Sequence, residues 1–438
     1  QHQAMLQKLD FESTDSKMAM KELSATYKVN GKKLDYSTVR YTVKDFKASV
    51  KPSDFASLLP GLKTLTTPYT VALEAQGTSR SVRVKWLDIS DQTLSTRIKA
   101  KGWGGNLDRK PSWDVTFTPL RISKKTLQDI AKVAKKPLPK PLENIGNIYY
   151  RGSFAHKAGR YTAKGQLNTD AGNIHLAAVI HGKNIQAAVN TPDFNIAKVL
   201  DNHDFGKVIT NMKVEGSTGL SYIIAKGDVT SFTYKGYTYR NIHLDGSYRD
   251  DVFTGKISIN DPNGKLDIDG KAANILAFMR EKGKLSADIM IAANAVNLHN
   301  LQLSDALGNR TISFTSNIKG HGSNLNDING SLNVNGFAMN GEGQNIGLEQ
   351  LNVKMNNGIL GRSLDAQTDF GELHIAGQYE YASIPQSITH VLGHYLPSLI
   401  RSTPQYNVRG KANYAFALRL DDTKQINSLF KTSLVSAH

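Results

Sequence analysis

Apolar and polar residues alternate with period two along most of the chain, as in Tyr69-Thr70-Val71-Ala72-Leu73-Glu74-Ala75, Ser81-Val82-Arg83-Val84-Lys85-Trp86 and Thr311-Ile312-Ser313-Phe314-Thr315-Ser316-Asn317-Ile318. Successive side chains of an extended chain point to opposite faces, so each stretch reads as a strand with one apolar and one wet face. Asn-Gly pairs, which accept the positive φ of tight hairpins, punctuate the strands at Asn30-Gly31, Asn263-Gly264, Asn329-Gly330, Asn335-Gly336 and Asn357-Gly358. Strands joined by such turns pair antiparallel. The exchange of strands with long helices that marks a parallel α/β sheet is missing, so the predicted fold class is mostly β.

A helix-like motif recurs on this background. Residues 54–59, 126–133 and 193–200 are short apolar segments with helical spacing, and later copies begin at Asn297 and Ile388. Each leads, 22 to 26 residues from its start, to a glycine that ends a strand and has an apolar or aromatic residue two places before it. These pairs are Ala75 and Gly77, Tyr150 and Gly152, Val214 and Gly216, Ile318 and Gly320, and Val408 and Gly410. A second word, glycine followed by alternating polar and apolar residues, opens at Gly172, Gly264 and Gly371. The recurrence predicts one elongated repeat segment over 1–438, with approximate units 1–77, 78–152, 153–216, 217–320 and 321–410, and 411–438 as the start of another. In the last helix-like segment Ile388, Val391, Leu392, Tyr395, Leu396, Leu399 and Ile400 form an apolar stripe, interrupted at Pro397, suited to plugging a sheet end or covering its apolar face.

Many one-faced strands with little helix to cover them must shield their apolar sides from water. Closed sandwiches and an open sheet curled along its length into a trough both do so. The narrow spacing of the modules favours the trough: an elongated curved antiparallel sheet, or repeating β-groove, with short helical segments between repeats. At about 30 strands it would run on the order of 140 Å, the dimension of a conduit. Its interior would hold acyl chains while charged headgroups stay in water. The residues predicted to line that groove are Val71, Leu73, Val82, Val84, Ile174, Leu176, Leu266, Ile268, Ile312, Phe314, Leu373 and Ile375, with Arg83, His175 and Ser313 as polar neighbours.

Composition supports a folded chain, with 39% hydrophobic and 21% charged residues. No window approaches the roughly 18 apolar residues of a transmembrane helix, and the first residue, Gln1, suggests a mature form or an excerpt. A net charge of +16 makes acidic partners plausible. The charge is spread thinly rather than gathered on a basic face with interleaved aromatics, so nucleic acid is not expected. Lys132, Lys135, Lys136 and Lys140, interleaved with Pro137, Pro139 and Pro141, read as a solvated, proline-stiffened loop.

The catalytic menu is short. Without cysteine there is no disulfide, thiolate zinc site or thiol nucleophile. His390 and His394 have the spacing of a zinc pair, but Val391 stands where a metalloprotease carries glutamate, and both fall opposite the apolar stripe. Asp250-Asp251 and Asp421-Asp422 read as solvated turns, and Asp261-Pro262-Asn263-Gly264 as a turn without the ligand series of a calcium loop. No Gly-x-Ser-x-Gly, Gly-x-Gly-x-x-Gly or Walker pattern occurs. The expectation is a protein that is not an enzyme and uses neither cofactor nor metal.

The run from Asp193 to Gly216, the run from Ser387 to Gly410 with Tyr395-Leu396-Pro397-Ser398-Leu399-Ile400, and the run from Asp54 to Gly77 with Leu59-Pro60-Gly61-Leu62 resemble the repeating units of the AsmA and TamB superfamily. The Asn- and Gly-punctuated style is most similar to TamB-type translocation and assembly module proteins of the Bacteroidota. The resemblance covers essentially the whole chain as a pattern and carries no catalytic residues. It implies a β-groove rod of the periplasm and cell envelope, anchored in the inner membrane and reaching an outer-membrane Omp85-type barrel. Its implied work is phospholipid delivery, outer-membrane lipid homeostasis and outer-membrane protein assembly. The family's anchor and its barrel-facing domain are not among these 438 residues, which makes the chain a middle segment whose contacts with membrane and barrel lie in other regions. The competing expectation is a structural or adhesive β-rich surface protein with closed sandwich cores and no lipid groove. A polysaccharide-acting β-helix would need near-constant rungs and a carboxylate cluster, and the sequence offers neither.

Overall fold

The alternating stretches fold into strands of eight to eighteen residues. In a computed structural model, which describes residues 2–12, 15–31, 33–57, 60–219, 221–274, 278, 283–384, 387 and 413–421, 23 strands belong to one open antiparallel sheet. The sequence reading expects about 30 strands; among the described residues there are 23, some of them long, with β2 and β3 spanning 14 and 18 residues. The sheet is not closed into sandwiches.

By compactness the chain divides into two units, Gln1–Ser221 with Gly227–Thr238, and Tyr222–Lys226 with Tyr239–His438. The first contains β1 (His2–Glu12), β2 (Lys17–Asn30), β3 (Lys33–Val50), β4 (Tyr69–Thr78), β5 (Ser81–Asp91), β6 (Arg97–Gly105), β7 (Ser112–Ile122), β8 (Ile148–Lys157), β9 (Arg160–Thr169), β10 (Gly172–His181), β11 (Asn184–Asn195) and β12 (Phe205–Ser217). β13 (Tyr222–Tyr234) straddles the division. The second unit contains β14 (Tyr237–Arg249) from Tyr239 onward, β15 (Val252–Asp261), β16 (Gly264–Ala273), β17 (Leu285–Asn297), β18 (Thr311–Gly322), β19 (Asn329–Gly341), β20 (Gln344–Gly358), β21 (Gly361–Thr368), β22 (Gly371–Gln378) and β23 (Asn413–Leu420). Within each unit strands pair with their sequence neighbours, a meander without crossovers.

The alternation does not run unbroken through every strand. In β5 both Lys85 and Trp86 take the outer face, because a bulge between Val84 and Leu87 returns Leu87 to the side of Val82 and Val84. Trp86 therefore stands across from Glu74, on the face opposite to the one strict alternation assigns it. Similar register shifts occur at Val43/Phe46, Phe117/Leu120 and Ala293/Val296. Each adds local twist and coiling to the sheet.

Glycines bring backbones close on the apolar face. Gly246, Gly255 and Gly270 lie in register across β14, β15 and β16. A Cβ on Gly255 would stand 2.4 Å from the Cα of Gly246 and 2.5 Å from the Asp245 carbonyl oxygen. Gly152 and Gly165 pair likewise, beneath the hydroxyl of Tyr150, which lies 3.0 Å from the Lys164 carbonyl oxygen. This close approach also corrects one turn expectation: Asn329-Gly330 opens β19, where Gly330 faces Gly320, and is no hairpin tip. Asn335-Gly336 is interior to β19, with Gly336 at φ +58° next to a break in pairing.

The helix-like motifs divide three ways. Residues 126–133 lie in α1 (Lys124–Val133), whose first turn is capped by the Ser123 hydroxyl accepting from the Thr126 N–H at 3.1 Å. Of 193–200, only α3 (Ile196–Leu200) is helical, because Asp193 and Phe194 continue β11 and pair with Asn173 and Gly172. At Asn297 the chain leaves β17 through a hydrogen-bonded turn in which the Leu301 N–H donates to the Asn297 carbonyl at 3.1 Å, and no regular helix follows. The segment from Ile388, with His390 and His394, lies outside the described residues.

In the first unit the 3-10 turns Pro52–Phe55 and Pro60–Thr64, α1 with α2 (Lys140–Asn144), and α3 fill the β3–β4, β7–β8 and β11–β12 connections. These connections leave the same end of the strands, four strands apart. The two 3-10 turns touch each other, Pro60–Thr64 touches α1, and α2 touches α3, so short helical elements line one rim.

The glycine contacts give a direct test. Gly255→Val should destabilise the protein by about 1–3 kcal/mol through overpacking, whereas Thr254→Val, exposed on the outer face, should change stability by less than about 0.5 kcal/mol. Urea denaturation midpoints of the two variants and the parent decide this.

Candidate functional site

Residues directly opposite each other in a ladder share a face, so the registers define rows that cross the strands. One row of the first unit runs Leu6, Leu23, Val43, Ala75, Val84, Gly102, Val115, Phe154, Ala163, Ala178, Ala187, Val214 from β1 to β12. No polar side chain interrupts it. The adjacent row, through Met20, Phe46, Leu73, Leu87, Ala100, Phe117, Gly152, Gly165, Leu176, Val189 and Met212, is equally apolar. In the second unit a row runs Gly246, Gly255, Gly270, Ile289, Ile318, Leu332, Val353, Ala366, Leu373, Leu418 from β14 to β23.

The face of the first unit is shielded without being sealed. Val71, Leu73, Val82, Val84, Ile174 and Leu176 share the apolar face of the first unit and are all half-buried. A side chain of this kind in a closed core is commonly buried outright. In the second unit Leu266, Ile268, Phe314 and Leu373 are half-buried, Ile312 is buried, and Ile375 is 0% exposed. The cover over Ile375 is Tyr379, Tyr381 and Ile384, which pack with Met355, Leu364 and Phe416. Burial there pushes the Tyr379 phenol well above its ordinary value. Of the polar neighbours, Arg83 and His175 are exposed on the outer face, and the Ser313 hydroxyl accepts the Ala295 N–H at 2.9 Å.

The outer face carries cross-strand ion pairs: Lys44 with Glu22 at 3.0 Å, Lys85 with Glu74 at 2.6 Å and Lys319 with Asp288 at 3.3 Å. The hydrogen bond from Lys85 holds the Glu74 carboxyl below its usual value. The sheet thus separates a hydrocarbon side from a charged side.

An apolar cavity of about 350 Å³ opens in the second unit over Leu285, Ala287, Ile318, Leu332, Val353 and Met355, with Phe278 at its edge. Ligand pockets for small molecules begin near this size. None of the twelve groove residues read from the sequence lines it, although Leu332 and Val353 stand in words as regular as theirs, Ser331-Leu332-Asn333-Val334 and Leu351-Asn352-Val353-Lys354-Met355. The same period-two signal would have found them. One wall is the β18–β19 turn, including Ser323, Asn324 and Ile328. There Asp327 closes a capping box: its carboxylate accepts from the Asn324 N–H at 2.9 Å and from the Ser323 hydroxyl at 2.7 Å, with the Lys284 ammonium 3.5 Å away. These hydrogen bonds hold the Asp327 carboxyl well below the usual carboxylate range.

Comparison with known proteins adds no name to this geometry: no family model matches the sequence, and no curated protein or solved structure matches it.

Because the folded-state pKa of Asp327 is depressed, its stabilisation is present above the unfolded value of about 3.9 and is lost as pH falls further. Asp327→Asn should cost about 1 kcal/mol at pH 7, as loss of a cap does, and the gap between variant and parent should close as pH falls below about 4. Denaturation midpoints measured from pH 7 to pH 2 test this, and a gap that stays constant would assign the effect to another cause.

Proposed function

We propose that the chain is a segment of a lipid conduit whose cargo lies with its acyl chains on the apolar face and its headgroup at a rim. The observation that carries this reading is the unbroken apolar row across β1 to β12, most of it half-buried and, among the described residues, without a second layer sealing it. An apolar strip perpendicular to the strands offers hydrocarbon the same surroundings at every strand, while the opposite face remains charged. No covalent chemistry is required of it.

The open antiparallel sheet agrees with the β-groove that the sequence resemblance implies. On that basis the chain is part of a TamB- or AsmA-like protein of the cell envelope, carrying phospholipid through the periplasm in support of outer-membrane lipid homeostasis and protein assembly. That reading pairs it with an inner-membrane anchor and an outer-membrane Omp85-type barrel.

Mass spectrometry of solvent extracts from protein purified out of cells should find phospholipid on the parent chain. Val84→Asp and Phe314→Asp place an unpaired carboxylate on the apolar face at a cost of several kcal/mol to any hydrocarbon laid over it. Local hydration of an open face should let these variants keep their fold and abundance while losing bound lipid. A parent chain that carries no lipid, or variants that all unfold while every folded variant stays loaded, would overturn the reading.

A further inference from the structure

Both rims of the first unit carry cations, and they differ in carboxylate content, the helical rim holding Asp54, Asp129, Glu143, Asp170 and Asp201 among its lysines. At the helical rim carboxylates and ammonium groups interleave: Lys51 lies 2.9 Å from Asp15, Lys132 lies 3.4 Å from Asp129, and the lysines of the α1–α2 connection share it with Glu143. At the other rim four successive hairpins carry cations at their tips. These are Arg80 in β4–β5, Arg109 and Lys110 in β6–β7, Lys157 and Arg160 flanking the β8–β9 turn, and Lys183 in β10–β11. All are exposed. Asp108 is the carboxylate these turns contain, and it pairs with Arg80 at 3.0 Å. The remaining five cations have no carboxylate within ion-pair distance among the described residues.

Immediately inside the tips on β7, β8 and β9 the apolar face begins with amphipathic rings. Trp113, His156 and Tyr161 are in register across β7, β8 and β9. His156 stacks on Tyr161 with centroids 4.3 Å apart and lies 6.1 Å from Trp113, and its Nδ1 is 2.8 Å from the Pro111 carbonyl oxygen. Two residues further along the same strands stand Val115, Phe154 and Ala163, which are hydrocarbon alone. Cation, amphipathic ring and hydrocarbon thus follow one another over ~7 Å per two residues of strand. Phospholipids present the same order as anionic phosphate, polar ester region and acyl chain, and aromatic rings favour that boundary.

We infer that this turn-bearing rim is a headgroup rail that selects anionic phospholipids, whose phosphates sit against Arg109, Lys110, Lys157, Arg160 and Lys183 while their acyl chains lie on the adjoining apolar face. The inference rests on the conduit reading and adds to it a cargo charge and an orientation.

The test uses the purified chain 1–438 and two lipids that share one fluorescent acyl chain, phosphatidylglycerol and zwitterionic phosphatidylcholine. The parent should bind phosphatidylglycerol roughly tenfold more tightly, the order expected when a few surface cations face an anionic headgroup, and the difference should shrink as salt is raised. Reversing the rail with Lys157→Glu, Arg160→Glu and Lys183→Glu should abolish that preference and leave phosphatidylcholine binding unchanged. The Gln substitutions at the same positions should do so without adding charge. Lys135→Glu with Lys136→Glu, at the helical rim, should leave the preference intact. Equal binding of both lipids by the parent, or equal damage from the helical-rim reversal, overturns the rail. Failure of the parent to bind either lipid overturns the conduit reading on which it rests.

Discussion

The constraint from which the structure follows is a sheet whose apolar side, in the first unit and among the described residues, has no second layer to bury it. A one-residue slip in any ladder would carry that strand's whole apolar set to the charged side, so register is held strongly wherever the rows run. The bulges serve the same end. In β5, where Lys85 and Trp86 are consecutive outer-face residues, the extra position lets Leu87 rejoin Val84 on the apolar side and keeps its row intact. Glycines complete the arrangement by letting backbones coil toward the face: at Gly246, Gly255 and Gly270 a side chain would strike the neighbouring strand.

Ion pairs contribute less to this than their number suggests. The pairs on the outer face are solvent-exposed, with the Lys319 and Asp288 side chains 59% and 58% accessible, and such contacts are commonly worth less than about 1 kcal/mol. Their value lies in keeping that face wet and in penalising slipped registers that would set like charges opposite each other. The stabilising work falls to backbone ladders and to the apolar rows, where half-buried side chains shield one another. The second unit shows the sealed variant of the same surface, since Tyr379, Tyr381 and Ile384 cover Ile375 completely. A few aromatic side chains are enough to turn open face into closed core.

Strand identity and sidedness were legible in the sequence because period-two alternation is a local signal with a direct geometric meaning. Val71, Leu73, Val82 and Val84 occupy one face for that reason. What was not legible depended on partners distant in sequence. Trp86 changes sides because the β4–β5 ladder admits a bulge, which no composition of β5 announces. Gly330 reads locally as half of an Asn-Gly turn, but its role is to let the backbone of Gly320 approach. Phe194 has helical spacing, yet its ladder with Gly172 keeps it extended. The cavity over Ile318, Leu332 and Val353 arises where four strands meet a turn and Phe278, and alternation within one strand has no means of marking such a junction.

Repetition of the rows bears on how a conduit would work. Movement requires binding strong enough to admit a ligand and weak enough at each point to release it to the next. A deep pocket meets the first condition and fails the second. In the first unit each strand offers aliphatic, aromatic or glycine positions in the same register, so an acyl chain displaced by one strand exchanges one apolar neighbour for another and meets no polar step. Burial of hydrocarbon yields roughly 25 cal/mol per Å² whichever apolar residue supplies the cover, and the free-energy profile along the row is correspondingly flat. A charged headgroup drawn along the turn-bearing rim would likewise pass from hairpin to hairpin, because the cations recur at each of four turns instead of gathering at one. Evenness, carried by strand register on the face and by turn composition at the rim, is the property that distinguishes a path from a site.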